Sequence, residues 1–477
     1  MSTPTDPRAL AFKTLLAVSG GQYGNLAVDT VLSRHPGLSP ADRGLCTTLV
    51  YGAIERQTTL DFLIGRLSSR PLGSLDDSVL TALRLGLFQL IYLDRVPDHA
   101  AINETVGLVP AKVSGFVNAV LRSYLRFEAS LGPGAPRENA LTTPDAWSAR
   151  FPELKDDHNR AASVCFGIPE PLCRLYTDAF GPGKADAVMA GFCRRPPLSL
   201  RVNTLRTTPD RLSAALASAG AAVRPGSYLP TALCLDGGSV TDLSGFASGD
   251  FFVQDEASQL CVRVLDARLG MTVVDTCACP GSKSFGAAID MNNQGRVLCF
   301  DLHESKLSLI RKGAARLGIT ADGPSPVLTA AARDARKPDP ALLGKADRVL
   351  CDVPCSGLGV IAKKPEIRHK DLSESARLPA IQREILEESA GYVREGGVLV
   401  YSTCTLLPAE NQDVVTDFLA SHPEFVPYDF AFDPQPGCSW SAVPIRSTGG
   451  MATLTPDDCG TDGFFIARVR KAGTVHD

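Results

Sequence analysis

After Gly249 the sequence alternates short apolar segments with amphipathic helical segments, and this alternation limits the fold more than any other feature. The order is typical of a parallel sheet covered by helices. The predicted strands are 251–253, 272–275, 297–300, 327–329, 348–350 and 398–400, and the predicted helices are 256–267, 284–291, 305–317 and 378–393. Because ligands bind at the carboxyl ends of the strands in such sheets, we expect the functional residues at these ends.

The first 130 residues predict a small all-helical bundle. Leu80, Leu83, Leu87 and Ile91 recur at a spacing of three to four residues, which is the apolar stripe of an amphipathic helix. Similar periods occur in the segments 9–18, 26–32, 46–54 and 116–125.

The middle of the chain predicts a linker followed by a small α+β domain. Residues 131–144 are rich in glycine and proline, as in Gly132-Pro133-Gly134-Ala135-Pro136, and such composition is typical of a linker. Within 145–244 the patterns predict strands at 198–203 and 228–236 and a helix at 209–218. With an α/β domain at 245–472, the chain is expected to be multidomain.

Length and composition agree with this division. A chain of 477 residues is too long for one hydrophobic core and fits about three domains. No apolar run is long enough to span a bilayer, and the N-terminus lacks the features of a signal peptide, so we expect a cytoplasmic protein with no membrane partner. In that reducing compartment the 14 cysteines are expected to be free thiols. No C-x-x-C pair or closely spaced histidine completes a set of metal ligands, so no metal is expected.

Two cysteines lie just past predicted strands. Cys355 lies in the phrase Cys-Asp-Val-Pro-Cys-Ser-Gly, and Cys404 lies in Tyr-Ser-Thr-Cys-Thr. A cysteine in a chain of this kind is most often a small buried packing group. The strand-end position favours a nucleophilic thiol for these two, and either of them could be the nucleophile.

Three acids and a glycine-containing turn also follow predicted strands. Asp301, Asp334 and Asp352 each come at or just past a strand end, where an acid commonly binds ribose hydroxyls. The turn within 275–283 lacks both glycines of the phosphate-loop pattern, so it is not a pyrophosphate-binding loop. Together these features favour a nucleoside-containing cofactor and are compatible with S-adenosylmethionine.

Basic residues form local clusters in a chain whose net charge is −4. The clusters lie within 194–211, 306–316 and 363–370. Charge runs usually cover solvated helix faces, so the clusters alone leave nucleic-acid binding open.

Three phrases resemble the motifs of the Sun family of RNA cytosine-C5 methyltransferases. They are Asp275-Thr-Cys-Ala-Cys-Pro-Gly-Ser-Lys283, Asp352-Val-Pro-Cys-Ser-Gly357 and Tyr401-Ser-Thr-Cys-Thr-Leu406. Glu410-Asn411 matches the same pattern, and Asp462-Gly-Phe-Phe-Ile-Ala-Arg468 is similar to that family's closing strand.

The N-terminal bundle resembles the transcription antitermination factor NusB. The resemblance is carried by Arg8-Ala-Leu-Ala-Phe-Lys-Thr-Leu, Arg43-Gly-Leu-Cys-Thr-Thr-Leu-Val-Tyr-Gly52, Ala101-Ile-Asn-Glu-Thr-Val106 and Gly115-Phe-Val-Asn-Ala-Val-Leu-Arg122. A NusB-like bundle joined to a Sun-type domain resembles the bacterial ribosomal small-subunit methyltransferase B family over nearly the whole chain.

The resemblance implies a three-part fold with S-adenosylmethionine as cofactor. The parts are an all-α NusB-like RNA-binding bundle at 1–130, a linker and small α+β RNA-binding domain within 145–244, and an α/β Rossmann-like class I methyltransferase domain at 245–472. The implied cofactor-binding residues are Cys277, Ala278, Cys279, Pro280, Gly281, Ser282, Lys283, Asp301, Asp334 and Asp352. Ser282 replaces a glycine of the family's turn, and it keeps the turn without strain only if its φ is negative.

The resemblance also implies the activity and the roles of the catalytic residues. Cys404 is expected to attack C6 of a cytosine in 16S ribosomal RNA, Cys355 to assist breakdown of the adduct, and Asp352 to bind the cytosine edge. The target base must leave the stack to reach the pocket. The expected partner is small-subunit ribosomal RNA, and the protein is expected to be a monomer. The residues expected to line the RNA groove are Arg201, Arg206, Lys363, Lys364 and Arg368.

Three alternatives remain open at this point. The same chemistry could act on another ribosomal or transfer-RNA cytosine. A non-catalytic RNA-binding scaffold would use the NusB-like bundle on an inactive body, although the presence of both cysteines and all three acids argues against it. A DNA cytosine methyltransferase would use Cys355 as nucleophile, and the phrase around Cys404 argues against that.

Overall fold

The computed structural model describes residues 6–22, 24–132, 135–237, 240–320, 326–436, 438 and 442–473. The chain divides into two compact units. One contains Met1–Cys193 together with Ile361–Lys370, and the other contains Arg194–Val360 and Asp371–Asp477. Two residues of the predicted linker, Pro133 and Gly134, lie outside the described residues.

The first unit is helical, as the apolar periodicity predicts. Several of its helices begin at side-chain caps: Asp6, Ser39, Thr143 and Asp157 each accept a hydrogen bond from a backbone N–H of the first turn. Its helices are α1 (Pro7–Ser19), α2 (Gly24–Arg34), α3 (Pro40–Glu55), α4 (Gln57–Leu67), α5 (Asp77–Tyr92), α6 (Asp98–Val106), α7 (Ala111–Ser130), α8 (Pro144–Arg150), α9 (His158–Phe166), α10 (Glu170–Phe180) and α11 (Pro182–Phe192).

The helical unit extends beyond the predicted domain boundary at residue 130. Thr59 of α4 donates its hydroxyl hydrogen to the carbonyl oxygen of Val164 on α9 at 2.6 Å, and both residues are buried. Trp147 of α8 is buried and stacks on Phe151 with 5.4 Å between ring centroids. Helices α8–α11 therefore complete the core of the first unit.

The second unit begins with a small antiparallel sheet. Its elements are β1 (Leu198–Val202), α12 (Pro209–Ser218), β2 (Val223–Pro225), β3 (Ala232–Leu235) and β4 (Phe251–Val253), with strand order β2-β3-β1-β4. The observed β3 is shorter than the predicted strand 228–236. The N–H groups of Ser227, Tyr228 and Leu229 donate to the buried Glu256 carboxylate instead of to a neighbouring strand.

A larger sheet follows, and its predicted strands and helices are present except for the strand 251–253. That segment forms β4 and pairs antiparallel with β1 in the small sheet instead. Its elements are α13 (Glu256–Leu265), β5 (Thr272–Asp275), α14 (Ser282–Asp290), β6 (Arg296–Asp301), α15 (Glu304–Leu317), β7 (Leu328–Ala332), β8 (Ala346–Asp352), α16 (Leu372–Ser375), α17 (Leu378–Gly391), β9 (Val393–Thr403), α18 (Gln412–Ser421), β10 (Phe425–Pro427), β11 (Ala431–Phe432), β12 (Ile445–Arg446), β13 (Met451–Leu454), α19 (Pro456–Cys459) and β14 (Phe464–Lys471). Strands β11 and β12 form a separate pair.

The strand order of the large sheet places the expected ligand-binding crevice beside β5. The strands lie in the order β10-β14-β9-β8-β5-β6-β7, with β13 paired to β14. Strands β5 to β9 run parallel, whereas β14 is antiparallel to β9. The chain leaves β5 in one direction to β6 and β7 and continues on the other side with β8 and β9. This reversal is where open parallel sheets bind ligands.

Arg201 of β1 is a structural residue, and the prediction that it lines an RNA groove is wrong. It is 2% exposed, and its Nη2 donates to the Gly286 carbonyl oxygen at 3.2 Å and to Asp290 at 2.8 Å. Gly286 leaves room for the guanidinium, since a Cβ there would lie 2.2 Å from Arg201 Nη1. The arginine faces helix α14 and is closed off from solvent.

This pairing gives a stability test with a built-in control, because two arginines approach the same carboxylate. Arg201→Ala should lower the free energy of unfolding by about 3 kcal/mol, since it leaves a largely buried carboxylate without its main partner. Arg263, which is 54% exposed and 3.7 Å from Asp290, should cost less than about 1 kcal/mol when changed to Ala. Chemical denaturation measures both. Equal losses for the two variants would contradict the assignment.

Candidate active site

The two strand-end cysteines meet because β8 and β9 are parallel neighbours in register. Asp352 lies opposite Ser402, so both strands end at the same edge of the sheet. Cys404 follows β9 directly, and Cys355 follows β8 after a short turn. Their sulfur atoms are 3.1 Å apart, and the Cys404 N–H donates to Cys355 Sγ at 3.3 Å. Both residues are half-buried.

The environment of the pair favours a proton on Cys355. The hydrogen bond with Cys404 and the burial of the thiol raise the pKa of Cys355 well above its usual value. Either sulfur can donate across this contact, and a proton kept on Cys355 makes the Cys404 sulfur the acceptor. A sulfur that accepts a hydrogen bond is stabilised as a thiolate, so the arrangement can supply one nucleophile and one proton carrier.

A partly buried charge network lies at the end of β8. Lys283 Nζ donates to Asp352 Oδ2 at 2.7 Å, and the Ser402 hydroxyl donates to Asp352 Oδ1 at 2.7 Å. Burial opposes the charge on Lys283, but Asp352 outweighs it and holds the pKa of Lys283 above its usual range. The Lys283 ammonium also lies 5.2 Å from the centre of the Phe464 ring. Asp352 is thereby held in one orientation.

The turn between β5 and α14 keeps its shape with Ser282 in it. The left-handed backbone falls on Gly281, at φ 108°, where a Cβ would lie 2.5 Å from Phe285. Ser282 is the first residue of α14 and is not among the described residues with positive φ. The N-terminus of α14 therefore opens at the crevice of the sheet, where its free N–H groups favour an anionic ligand group.

Asp301 and Asp334 both lie at the expected strand ends, but their carboxylates have different hydrogen-bond partners. Asp301 ends β6 and accepts from the His303 N–H at 2.9 Å. Asp334 follows β7, and each of its oxygens accepts from Arg336 at 2.9 Å. The Arg336 guanidinium therefore competes with any ligand for Asp334.

The five predicted RNA-binding residues differ in their exposure to solvent. Arg206 is exposed, with its Nε donating to the Leu317 carbonyl oxygen at 3.2 Å. Lys363 is half-exposed and Lys364 is exposed. Arg368 is 2% exposed and donates to the carbonyl oxygens of Glu55 and Gly167 within the helical unit, so the prediction for Arg368 is wrong, as for Arg201.

Three polar residues next to the cysteine loops were given no role from the sequence. Glu410 and Asn411 match the family pattern and are buried, and Gln382 of α17 is buried beside them. Their one sequence signal is the placement of an acid and an amide shortly after Cys404. Only the fold shows that they contact the cysteine loops.

Neither a metal site nor a membrane-spanning helix is present among the described residues. No group of three or more His, Cys, Asp or Glu side chains among them could hold a metal ion. None of the helices in the described ranges has both the length and the apolarity needed to cross a bilayer.

Three protein families together match most of the chain. Residues 262–470 match the family described as 16S rRNA methyltransferase RsmB/F. Residues 5–126 match the NusB family, and residues 168–241 match the RsmF/B-like ferredoxin-like domain.

Curated relatives match along their whole length. The chain is 35% identical to the probable ribosomal RNA small subunit methyltransferase B of Bacillus subtilis, covering 98% of this chain and 99% of that protein. It is 31% identical to the ribosomal RNA small subunit methyltransferase B of Pseudomonas putida, covering 98% of each.

Solved structures share the fold. The crystal structure of PH0851 covers 99% of this chain and 100% of its own, with a TM-score of 0.74 and 24% identity. NSun6 from Pyrococcus horikoshii, solved with SFG, covers 64% of this chain and 98% of its own, with a TM-score of 0.55 and 23% identity. The matches confirm the predicted fold class and the resemblance drawn from the motifs.

The buried end of β5 gives a test by pH. Desolvation raises the pKa of Asp275 to about 7. The 2.5 Å hydrogen bond from the Ser284 hydroxyl acts in the opposite direction and lowers the pKa, but it is the smaller effect. A carboxyl whose pKa rises on folding stabilises the fold while protonated, and that stability is lost as pH rises toward the folded pKa. Between pH 5 and pH 7 the free energy of unfolding should fall by up to about 3 kcal/mol through this group.

The matched variant is Asp275→Asn, which is neutral at both pH values. Its stability relative to the unsubstituted protein should improve as pH rises from 5 to 7. Urea denaturation at several pH values measures the difference. Parallel pH profiles for the two proteins would show that Asp275 does not titrate in this range.

Proposed function

Because the chain belongs to the RsmB/F family of 16S rRNA methyltransferases, we propose that it methylates C5 of a cytosine in 16S rRNA through a covalent adduct with Cys404. The observation that carries the proposal is the 3.1 Å approach of the sulfur atoms of two strand-end thiols, Cys355 and Cys404. Cytosine C5 is a weak nucleophile, and covalent catalysis divides its methylation into two easier steps.

The crevice at β5 fits S-adenosylmethionine as the cofactor. The residues that would hold it are those of the turn 277–282, whose backbone opens at the N-terminus of α14, together with Asp301. The positive φ of Gly281, and the Phe285 ring that a Cβ there would meet, fix the shape of this turn. Asp334 would contribute once Arg336 releases one of its oxygens. When bound, the cofactor supplies the methyl group as an electrophile.

Cys404 begins the reaction on the flipped base. Its thiolate adds to C6, the C5–C6 double bond opens, and C5 gains the electron pair with which it takes the methyl group. A base then removes the C5 proton, the electron pair re-forms the C5–C6 bond, and the C6–S bond breaks to release the thiolate. The hydrogen bond from Cys355 stabilises the Cys404 thiolate before attack and after release.

Cys355 and Asp352 support the adduct from the same edge of the sheet. Cys355 lies beside the sulfur that must leave, so it can give or take a proton as the adduct breaks down. Asp352 is fixed by Lys283 and Ser402, and its oxygens can accept from the N–H groups of the cytosine edge. Both residues act on the same base as Cys404.

Exposed or half-exposed basic residues supply the RNA contacts in this proposal. Arg206 in one unit, and Lys363 and Lys364 in the other, remain as candidates for phosphate binding once the buried Arg201 and Arg368 are removed from the set. In a chain with a net charge of −4, such local clusters must provide the attraction to RNA. A ribosomal RNA substrate places the reaction in the cytoplasm.

The proposal predicts that substitution of each cysteine causes a different defect in methylation. The protein is incubated with labelled S-adenosylmethionine and small-subunit RNA from a strain that lacks the gene, and the labelled nucleotide is mapped. Cys404→Ala should lose methylation because no bond to C6 can form. Cys355→Ala should accumulate a covalent protein–RNA adduct, visible as a shifted band on a denaturing gel.

The control is Cys438→Ala, which changes a half-buried thiol outside the cysteine pair and should leave methylation intact. An adduct with Cys404→Ala in place of Cys355→Ala would reverse the two roles. Label on a transfer RNA or on another ribosomal cytosine would keep the chemistry and change the substrate.

The RNA contacts are tested by joint charge removal. Changing Arg206, Lys363 and Lys364 together to Ala should weaken RNA binding and reduce the slope of log affinity against log salt by about 2. Filter binding at several salt concentrations measures this, with the exposed Lys345→Ala as a single-charge control. An unchanged slope would remove these residues from the RNA-binding surface.

A further inference from the structure

The residues on both sides of Cys355 are held by one buried carboxylate. Glu410 is 2% exposed and ends a 3-10 turn at Pro408–Glu410. Its Oε2 accepts from the Ser356 N–H at 2.9 Å and from Gln382 Nε2 at 2.9 Å. Gln382 Nε2 also donates to the Pro354 carbonyl oxygen at 3.0 Å. The backbone on each side of Cys355 is therefore tied to Glu410.

The residues on both sides of Cys404 are held by the next residue, Asn411. Asn411 is fully buried, and its Oδ1 accepts from the Thr403 hydroxyl at 2.5 Å. Its Nδ2 donates to the Thr405 carbonyl oxygen at 3.0 Å. The Ser356 hydroxyl donates to the Thr405 hydroxyl oxygen at 2.9 Å and joins the two loops to each other. Adjacent residues thus hold the two cysteine loops.

The two holding residues are themselves anchored to the sheet. The Tyr401 hydroxyl on β9 donates to the Glu410 carbonyl oxygen at 2.6 Å, and Tyr401 is 1% exposed. The loops, the Glu-Asn pair and β9 therefore form one hydrogen-bonded frame, which we call the cysteine frame, made of Pro354, Ser356, Gln382, Tyr401, Thr403, Thr405, Glu410 and Asn411.

A buried carboxylate at position 410 lowers the stability of the fold compared with apolar packing. Glu410 has no basic partner in the contacts above, and within the described residues its Oε1 is buried without a hydrogen-bond partner. Burying a polar group in this way costs free energy that an apolar pair would not. The two hydrogen bonds that Glu410 Oε2 accepts do restrict the positions of Ser356 and Gln382.

We infer that Glu410 and Asn411 are positioning residues that set the distance between the Cys355 and Cys404 sulfur atoms. They touch neither sulfur directly in these contacts and act through the backbone and side chains on each side of the two cysteines. The predicted effect on catalysis rests on the proposed function, whereas the predicted effect on thiol geometry does not.

The first measurement reports thiol geometry and needs no RNA or cofactor. Diamide takes two electrons and two protons from a pair of close thiols, which leaves a disulfide between them and reduced diamide. Glu410→Ala and Asn411→Ala should slow the formation of the Cys355–Cys404 disulfide by about tenfold, followed by peptide mass mapping. Glu410→Gln keeps an oxygen that can accept both hydrogen bonds, and it should restore the rate to within about twofold.

The control is Gln412→Ala in the same segment. Gln412 Nε2 donates to the Thr453 hydroxyl at 2.8 Å and not to either cysteine loop, so this variant should pair its thiols like the unsubstituted protein. Should Glu410→Ala fail to fold, Gln382→Met is the substitute, because it removes both hydrogen bonds of Gln382 while keeping a side chain of similar volume.

The second measurement separates positioning from simple loss of structure. In RNA methylation, kcat should fall by about 10- to 100-fold in the two Ala variants while KM for RNA changes by less than about threefold. Unchanged disulfide rates and unchanged kcat in folded Ala variants would overturn the inference. If the unsubstituted protein does not methylate RNA, the proposed function fails, and the disulfide rates still decide whether Glu410 and Asn411 set the thiol distance.

Discussion

The parallel pairing of β8 with β9 is the constraint on which the rest of the site depends. With Asp352 opposite Ser402, both strands end at the same level, and the loops that follow present Cys355 and Cys404 to each other. A slip of one residue would turn alternate side chains to the opposite face of the sheet and separate the sulfur atoms. The register is supported by the Ser402 hydroxyl, which donates to Asp352 across the two strands.

Two polar networks lie beside this pair of strands, one partly buried and one buried, and they have different compositions. Lys283, Asp352 and Ser402 form a network whose charges compensate each other and orient a carboxylate toward the crevice. Glu410 and Asn411 form another, in which no cation of the described residues hydrogen-bonds to the Glu410 carboxylate. Both cost desolvation energy that apolar packing would avoid. In each case the hydrogen bonds give a fixed direction to a group beside the cysteines.

The sequence could predict the strands but not the fate of each charged residue. Alternation of apolar segments located β5 to β9 because buried parallel strands need apolar faces on both sides. Counting basic residues could not separate Arg201 and Arg368 from Arg206, since internal pairing depends on partners distant in the chain, such as Asp290 and the Glu55 carbonyl. The role of Glu410 was equally hidden, because its partner Ser356 becomes a neighbour only when the sheet forms.

The helical unit includes the segment Ile361–Lys370, which lies far along the chain from the residues that match the NusB family. The segment comes from between β8 and α17, yet its Arg368 is buried in the helical unit and satisfies the carbonyl oxygens of Glu55 and Gly167. These oxygens end α3 and follow α9, where helices leave carbonyl groups unpaired. The helical unit therefore completes its own hydrogen bonding with residues from a segment that lies within the methyltransferase family match.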